Sequence, residues 1–169
     1  MIKSLPTRGG EKEMVSQNIE EIYERNYDMM YRVGFSYLKN AEDTKDIISD
    51  IILKLLQKKI NFESAEHEKA WILRAVINQC KNYLKHWRRK NESIDDYIHL
   101  ESENSVEENE MVKIIMELPE RYRAVIYLHY YEGYTSKEIS DILKKPQSTI
   151  LSQMREARKL LKGVLENEK

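Results

Sequence analysis

Several residue types that mark other fold classes are scarce in this chain of 169 residues. Its single cysteine, Cys80, excludes an internal disulfide and fits a reducing compartment. Three prolines and five glycines are few for the frequent turns of a β-rich fold, and 34% of the residues are charged. No apolar run approaches the ~20 residues that span a bilayer. These absences predict an all-α fold.

Metal ligands and targeting signals are also missing from the sequence. The four histidines have no ligand spacing to one another or to Cys80, so we expect no metal site and no cofactor. The first 25 residues mix both signs of charge and do not resemble a signal peptide. We therefore expect a cytoplasmic protein.

Charge is abundant but unevenly distributed. The net charge of the whole chain is −1, whereas residues 1–90, 91–110 and 111–169 carry +4, −8 and +3. The acidic segment has no basic residue and weak periodicity, which is typical of a flexible linker extended by self-repulsion. We predict two small helical domains joined by this linker. The domains are an N-terminal helical bundle over residues 15–90, after a flexible leader over 1–14, and a C-terminal domain over 111–169.

Residues 69–90 are predicted to form a long amphipathic helix with two different faces. One face is an apolar stripe at intervals of three and four, made of Leu73, Val76, Cys80, Tyr83 and Trp87. Beside it lies a row of basic and amide side chains, made of Arg74, Asn78, Lys81, Lys85 and Arg88. A charged row usually just faces solvent. No Asp or Glu interrupts this one, however, and charge of one sign is what phosphate binding uses.

A helix over residues 15–38 and a second helix, Ala41–Lys58, are predicted upstream, the second with Asn40 as its N-cap. The second helix has a wide apolar arc made of two rows, Ile47, Ile51 and Leu55 beside Ile48, Ile52 and Leu56. Its polar edge consists of Asp43, Asp46, Asp50 and Lys54. The pattern fits a buried central helix with one solvated edge. It fits equally a helix whose arc and acidic edge bind a partner protein.

The connector over residues 59–68 leads into the long helix. Ser64 is a candidate N-cap for that helix. Phe62 is either a wedge packed under the connector or an exposed aromatic that stacks on a base.

The C-terminal block has the helix starts, helix ends and turn that are typical of a helix-turn-helix. A helix ends before Pro119, and the next one, built on Tyr122, Val125, Ile126, His129 and Tyr130, runs up to Gly133. Thr135 and Glu138 form a capping-box pattern at the start of a short helix, SKEISDIL. A final helix begins at Gln147 or Ser148. Its inner row is Ile150, Met154, Ala157, Leu161 and Val164, and its outer row is Ser148, Ser152, Arg155, Lys159 and Lys162. This order fits a DNA-binding helix-turn-helix, and it also fits a plain helical hairpin.

Three separated stretches resemble the extracytoplasmic-function group of bacterial RNA polymerase sigma factors, within the sigma-70 family. They are NAEDTKDIISDIILKLL, AWILRAVINQCKNYLKHWRRK and LPERYRAVIYLHYYEGYTSKEISDILKKPQSTILSQMREARKLL. The resemblance covers about residues 19–162, with the acidic linker between the second and third stretches. It implies an alternative sigma factor that is not an enzyme, that binds core RNA polymerase and promoter DNA in transcription initiation, and that an anti-sigma factor holds inactive.

The resemblance also implies roles for individual residues. Helix Ala41–Lys58 would bind the polymerase clamp helices through Asp46, Ser49, Asp50, Lys54 and neighbouring apolar residues. The loop over residues 61–68 would capture a flipped base of the minus-ten element. The residues implied in minus-ten binding are Asn61, Phe62, Asn78, Lys81, Asn82, Lys85, Arg88 and Arg89. The helix-turn-helix would read the minus-thirty-five element with Ser148, Thr149, Ser152, Gln153 and Arg155 near the bases and Lys137, Arg158 and Lys159 on phosphates.

The chain departs from the usual family pattern in its recognition helix. The family commonly has T-V-K-S-R-L-x-R-A-R there, whereas this chain has T-I-L-S-Q-M-R-E-A-R. Leu151, Gln153 and Glu156 therefore replace Lys, Arg and Arg, and Lys144 stands in the turn where Gly is common. We predict weaker or altered recognition of the upstream element.

Two other functional classes are compatible with parts of the sequence. A stand-alone helix-turn-helix transcriptional regulator would use the C-terminal block but would leave the arc of Ala41–Lys58 without a partner. A nucleic-acid enzyme is disfavoured, because the carboxylates do not cluster with a general base or with metal ligands.

Overall fold

The structure, a computed structural model, describes residues 8–90 and 114–167. It contains helices α1 (Arg8–Leu38), α2 (Ala41–Lys58), α3 (Ala65–Lys90), α4 (Glu120–Tyr130), α5 (Ser136–Leu143) and α6 (Gln147–Asn167). Residues 114–116 form a further helical turn, and no strand occurs in the described ranges. The all-α prediction is confirmed, while the predicted linker over 91–110 lies outside the described residues. None of the described helices combines the length and apolarity needed to cross a membrane.

Helices α1, α2 and α3 pack against one another around a shared apolar core. The contributing side chains include Met30, Val33, Leu38, Ile48, Ile51, Ile72, Leu73 and Ile77, all of which are buried. α1 and α2 approach closely at Gly34, where a Cβ atom would lie 2.9 Å from Cγ2 of Thr44. A larger residue at this position would push the two helices apart.

Local capping explains where α2 and α3 begin. Asn40 Oδ1 accepts a hydrogen bond from the Asp43 amide at 3.0 Å, and Ser64 Oγ accepts one from the His67 amide at 3.0 Å. Both predicted caps are confirmed, and α2 has the predicted bounds. Lys39 and Lys59 adopt left-handed conformations just after α1 and α2, which ends those helices.

The first helix begins earlier than predicted. Residues 8–14, which the sequence assigned to a flexible leader, are already part of α1. The Gly9-Gly10 pair suggested an irregular segment, but Glu11, Lys12 and Glu13 are good helix formers and continue the helix.

The C-terminal helices form the predicted helix-turn-helix. The capping box at α5 is complete: the Glu138 amide donates to Thr135 Oγ1 at 3.2 Å, and the Thr135 amide donates to Glu138 Oε2 at 2.8 Å. α5 ends at Lys144, which is left-handed with φ 53°. Gln147 begins α6, and its side chain donates to Ser136 Oγ at 3.0 Å, which ties the two helices together.

α4 is buried on several sides. It contacts α1 as well as α5 and α6, and every residue from 122 to 128 is buried. Of the five residues on which the sequence predicted this helix, Tyr122, Val125 and Ile126 are buried, His129 is half-buried and Tyr130 is 56% exposed.

The two helical groups also pack on each other. Val125, Leu128, Ile139 and Ile150 belong to the same apolar cluster as the core of α1, α2 and α3. α1 contacts α4, and α3 contacts α5. A smaller cluster between α4 and α6 contains Ile115, Leu118, Tyr122, Ile126 and Ala157.

Candidate nucleic-acid and polymerase interfaces

The buried face of α3 is wider than the predicted stripe. Leu73, Val76 and Cys80 are buried as predicted, but Tyr83 and Trp87 are only half-buried. The face is completed by Ile72, Ile77 and Leu84, which the stripe left out. This wide buried face anchors α3 in the core, so the polar row beside it has a defined orientation.

The polar row of α3, which we call the basic row, is made of Arg74, Asn78, Lys81, Lys85 and Arg88, with Asn82 and Arg89 beside it. Most of these side chains are exposed, but Arg74 and Lys81 are half-buried. Burial and the nearby Lys145 hold the pKa of Lys81 below its usual value. Arg88 Nη2 lies 3.0 Å from Glu120 Oε2 of α4. The structure therefore leaves much of the row accessible and covers part of it.

Phe62 packs at the base of the loop over residues 61–68. Its ring is half-buried against the apolar core, with centroids 5.6 Å from His67 and 5.8 Å from Trp71. The His67 ring accepts a hydrogen bond from the Glu63 amide at 3.2 Å. The geometry matches the wedge interpretation of Phe62, while Asn61 beside it is exposed.

Glu68 anchors the start of α3 to α1, a contact that sequence reasoning missed. Its carboxylate accepts hydrogen bonds from Arg25 Nε at 2.7 Å, Arg25 Nη2 at 2.6 Å and Asn26 Nδ2 at 2.8 Å. These bonds, led by those from Arg25, lower the pKa of the buried Glu68 carboxyl against the opposing effect of burial. The only sequence signal for this contact was the position of Glu68, directly before residues 69–90, which contain no Asp or Glu. The anchor holds the end of the loop in place.

The polar edge of α2 is exposed together with apolar residues. Asp46, Ser49, Asp50 and Lys54 all face solvent. Leu53 is 52% exposed beside them, and Leu56 is also exposed. A groove of about 410 Å³ between α2 and α3 is lined by Asp50, Leu53, Lys54, Gln57, Gln79 and Asn82.

The predicted arc of α2 thus divides into two parts. Ile47, Ile48, Ile51 and Leu55 are buried in the core, Ile52 is half-buried, and Leu56 is exposed. The buried residues fit the interpretation of α2 as a central helix, and partner binding by the exposed part stays a prediction. Leu53 lay outside both predicted apolar rows and was missed, although an isolated leucine within a polar edge was visible in the sequence.

The outer face of α6 is accessible along most of its length. Ser148, Ser152, Arg155, Arg158 and Lys159 are exposed, as is Lys137 of α5. Thr149 and Gln153 are half-buried, and Gln153 Oε1 makes no hydrogen bond. Arg158 Nε donates to the hydroxyl of Tyr130 at 2.9 Å.

Cys80 is a buried free thiol. Burial raises the pKa of the Cys80 thiol to about 12, with a smaller contribution from Glu120. Within residues 8–90 and 114–167, no group of three or more His, Cys, Asp or Glu side chains could hold a metal ion.

Two family models match this chain in succession. The model described as "Sigma-70 region 2" matches residues 22–91, which contain α2, α3 and most of α1. The model described as "Sigma-70, region 4" matches residues 108–161, which contain α4, α5 and most of α6. The chain belongs to the sigma-70 family, in its extracytoplasmic-function group. The polar edge of α2 and the basic row therefore lie in region 2, and the helix-turn-helix lies in region 4.

Curated relatives and solved structures agree with this family. The chain is 27% identical to the RNA polymerase sigma factor SigV of Bacillus subtilis, over 82% of this chain and 85% of SigV. It is 24% identical to the ECF RNA polymerase sigma factor SigM of Bacillus subtilis, over 86% of this chain and 94% of SigM. The fold is similar to that of the sigma factor RpoE from Bartonella quintana in complex with the anti-sigma factor NepR, with a TM-score of 0.70, 19% identity, and coverage of 90% of this chain and 99% of RpoE.

Proposed function

We propose that this chain is an alternative sigma factor that joins core RNA polymerase and directs promoter recognition and opening. The observation that carries the proposal is the presence of both a region 2 and a region 4 match in one chain. A stand-alone helix-turn-helix regulator would account for region 4 alone. The chain is not an enzyme in this proposal, and its site of action is the cytoplasm, where the polymerase transcribes the chromosome.

Core polymerase binds, in this proposal, to the exposed edge of α2. The exposed Leu53 and Leu56 form a small apolar patch on this edge. The exposed polar side chains of Asp46, Ser49, Asp50 and Lys54 form its rim. Such patches are typical of protein interfaces, whose apolar centre supplies affinity and whose polar rim supplies orientation. The resemblance implied apolar neighbours of these residues without naming them, and we propose Leu53 as one of them.

The minus-ten element binds along α3 and the loop before it. Asn61 and Phe62 lie at the loop, and the basic row supplies cations for the phosphates of the melted strand. Extruding a base costs a few kcal/mol, which contacts with the loop and with the phosphates offset. The Glu68 anchor supports this role because it keeps the loop from moving relative to α1 and α3.

The minus-thirty-five element binds to region 4. The exposed Ser148, Ser152 and Arg155, with the half-buried Thr149 and Gln153, stand at the beginning of α6, the part of a recognition helix that reaches base edges. Lys137, Arg158 and Lys159 are exposed around them, and in this proposal they contact phosphates. The domains that we assign are residues 15–90 for region 2 and 111–169 for region 4, joined by the acidic segment.

An anti-sigma factor is the further partner in this proposal. The similar RpoE structure contains the anti-sigma factor NepR. In this chain an anti-sigma factor could compete with polymerase, because the exposed edge of α2 that would bind polymerase is equally accessible to another protein.

Run-off transcription with core RNA polymerase on genomic DNA tests the proposal and locates the promoters. We expect transcripts only when the chain is added. Leu53→Asp should reduce capture of core polymerase, whereas the matched change Leu160→Asp, at an exposed leucine of α6, should not. A chain that binds duplex DNA but neither joins polymerase nor starts transcription would be a stand-alone regulator.

A further inference from the structure

The outward face of α6 carries an apolar side chain where the chain is proposed to read DNA. Ser148, Leu151, Ser152 and Arg155 have the spacing of one helix face, and all four are exposed. Leu151 is 47% exposed, whereas its neighbour Ile150 is fully buried in the core. A leucine therefore stands between two hydroxyl groups, one turn before the first cation of this face.

The major groove offers little that a leucine can contact favourably. Base edges there present hydrogen-bond donors and acceptors, and the 5-methyl group of thymine is the apolar feature among them. A leucine held over a phosphate or over a donor would desolvate that group without replacing its hydrogen bond. We propose that Leu151 contacts the 5-methyl group of a thymine in the minus-thirty-five element, and this inference rests on the proposed function.

The test removes the methyl group alone. Each thymine of the upstream element, in a promoter duplex identified by run-off transcription, is replaced in turn by deoxyuridine, and the Kd of the polymerase holoenzyme is measured. We expect one position at which the wild-type holoenzyme binds the uracil duplex about fourfold more weakly, the effect of roughly one buried methyl group. Leu151→Ala should bind the two duplexes equally well.

The control is Leu160→Ala, which removes a leucine that is 44% exposed on the same helix. Nine residues correspond to about half a turn beyond two full turns, so Leu160 faces the opposite side of α6. This variant should keep the preference for thymine, and alanine favours the helix in both variants. The inference is overturned if no thymine is sensitive in the wild type, or if Leu151→Ala keeps the sensitivity. Failure to find any promoter would refute the proposed function itself.

Discussion

Replacing Glu68 with alanine is expected to lower the free energy of unfolding by about 2–3 kcal/mol. The Glu68 carboxylate accepts three hydrogen bonds from α1, so its loss detaches the start of α3. A hydrogen bond to a charged group contributes about 1.5–3 kcal/mol. The Arg25 side chain is 47% exposed, however, so solvent screening limits its ion pair to about 1 kcal/mol. The buried bond from Asn26 supplies most of the remainder.

The contribution of Arg25 can be separated by a double-mutant cycle. Arg25→Ala alone should cost about 1 kcal/mol, and its effect should nearly vanish in the Glu68→Ala background because the two residues are directly paired. Asn26 Nδ2 keeps its hydrogen bond to the Ile22 carbonyl at 2.9 Å, so Glu68→Ala does not strand that amide. Urea unfolding followed by circular dichroism measures all four proteins.

The stabilisation by Glu68 should depend on pH, in a direction that its shifted pKa fixes. The folded-state pKa of Glu68 is lowered by the hydrogen bonds from Arg25 and Asn26, so its stabilisation is fully present above the unfolded-state pKa of about 4.3. It is lost as the pH falls through the folded-state pKa. The stability difference between the wild type and Glu68→Gln should therefore shrink below pH ~4. The anchoring role of Glu68 would be refuted if the free energies of unfolding of the wild type and Glu68→Gln differed by less than about 0.5 kcal/mol at pH 7, or if their difference did not change with pH.

Three further changes test other parts of the structure. Lys144→Gly should raise the free energy of unfolding by about 0.5–1 kcal/mol, because Lys144 is left-handed with φ 53°. Thermal unfolding measures this gain, and the control variant Lys145→Gly should not show it. Leu151→Lys with Gln153→Arg should strengthen duplex binding and steepen its salt dependence, and a titration with neither change would mean that α6 does not lie on DNA. Cys80 should resist iodoacetamide at pH 8 until urea unfolds the chain, because burial raises its pKa to about 12.

Sequence patterns predicted local features better than contacts between distant segments. The caps Asn40 and Ser64 and the capping box at Thr135 are confirmed, because each involves residues three positions apart. The anchor between Arg25 and Glu68 spans 43 residues and leaves no periodic signal. Burial around α4 was underestimated for the same reason, since a hydrophobic stripe shows which face is apolar but not how many neighbours cover it.

The candidate site was predictable to the extent that exposure follows helical periodicity. Asp46, Asp50 and Lys54 are exposed along the edge that the spacing indicated, whereas Asp43 of that edge is half-buried. Ser49, which the family resemblance implied, is exposed as well, and the polar row of α3 lies beside the core as expected. The covering of part of that row by the C-terminal helices was not predictable. It depends on packing between segments that the acidic stretch separates in sequence, and composition does not report such packing.

The degree of burial along the basic row decides which substitutions can be interpreted as DNA-binding effects. Asn82, Lys85 and Arg89 are exposed, so alanine there should change binding with little change in stability. Arg74 and Lys81 are half-buried, and Arg74 Nε makes no hydrogen bond, so replacing either residue also changes packing. A loss of DNA binding at these two positions therefore supports direct contact only when the unfolding free energy is unchanged. The three exposed positions are the ones from which the role of α3 in DNA binding should be judged.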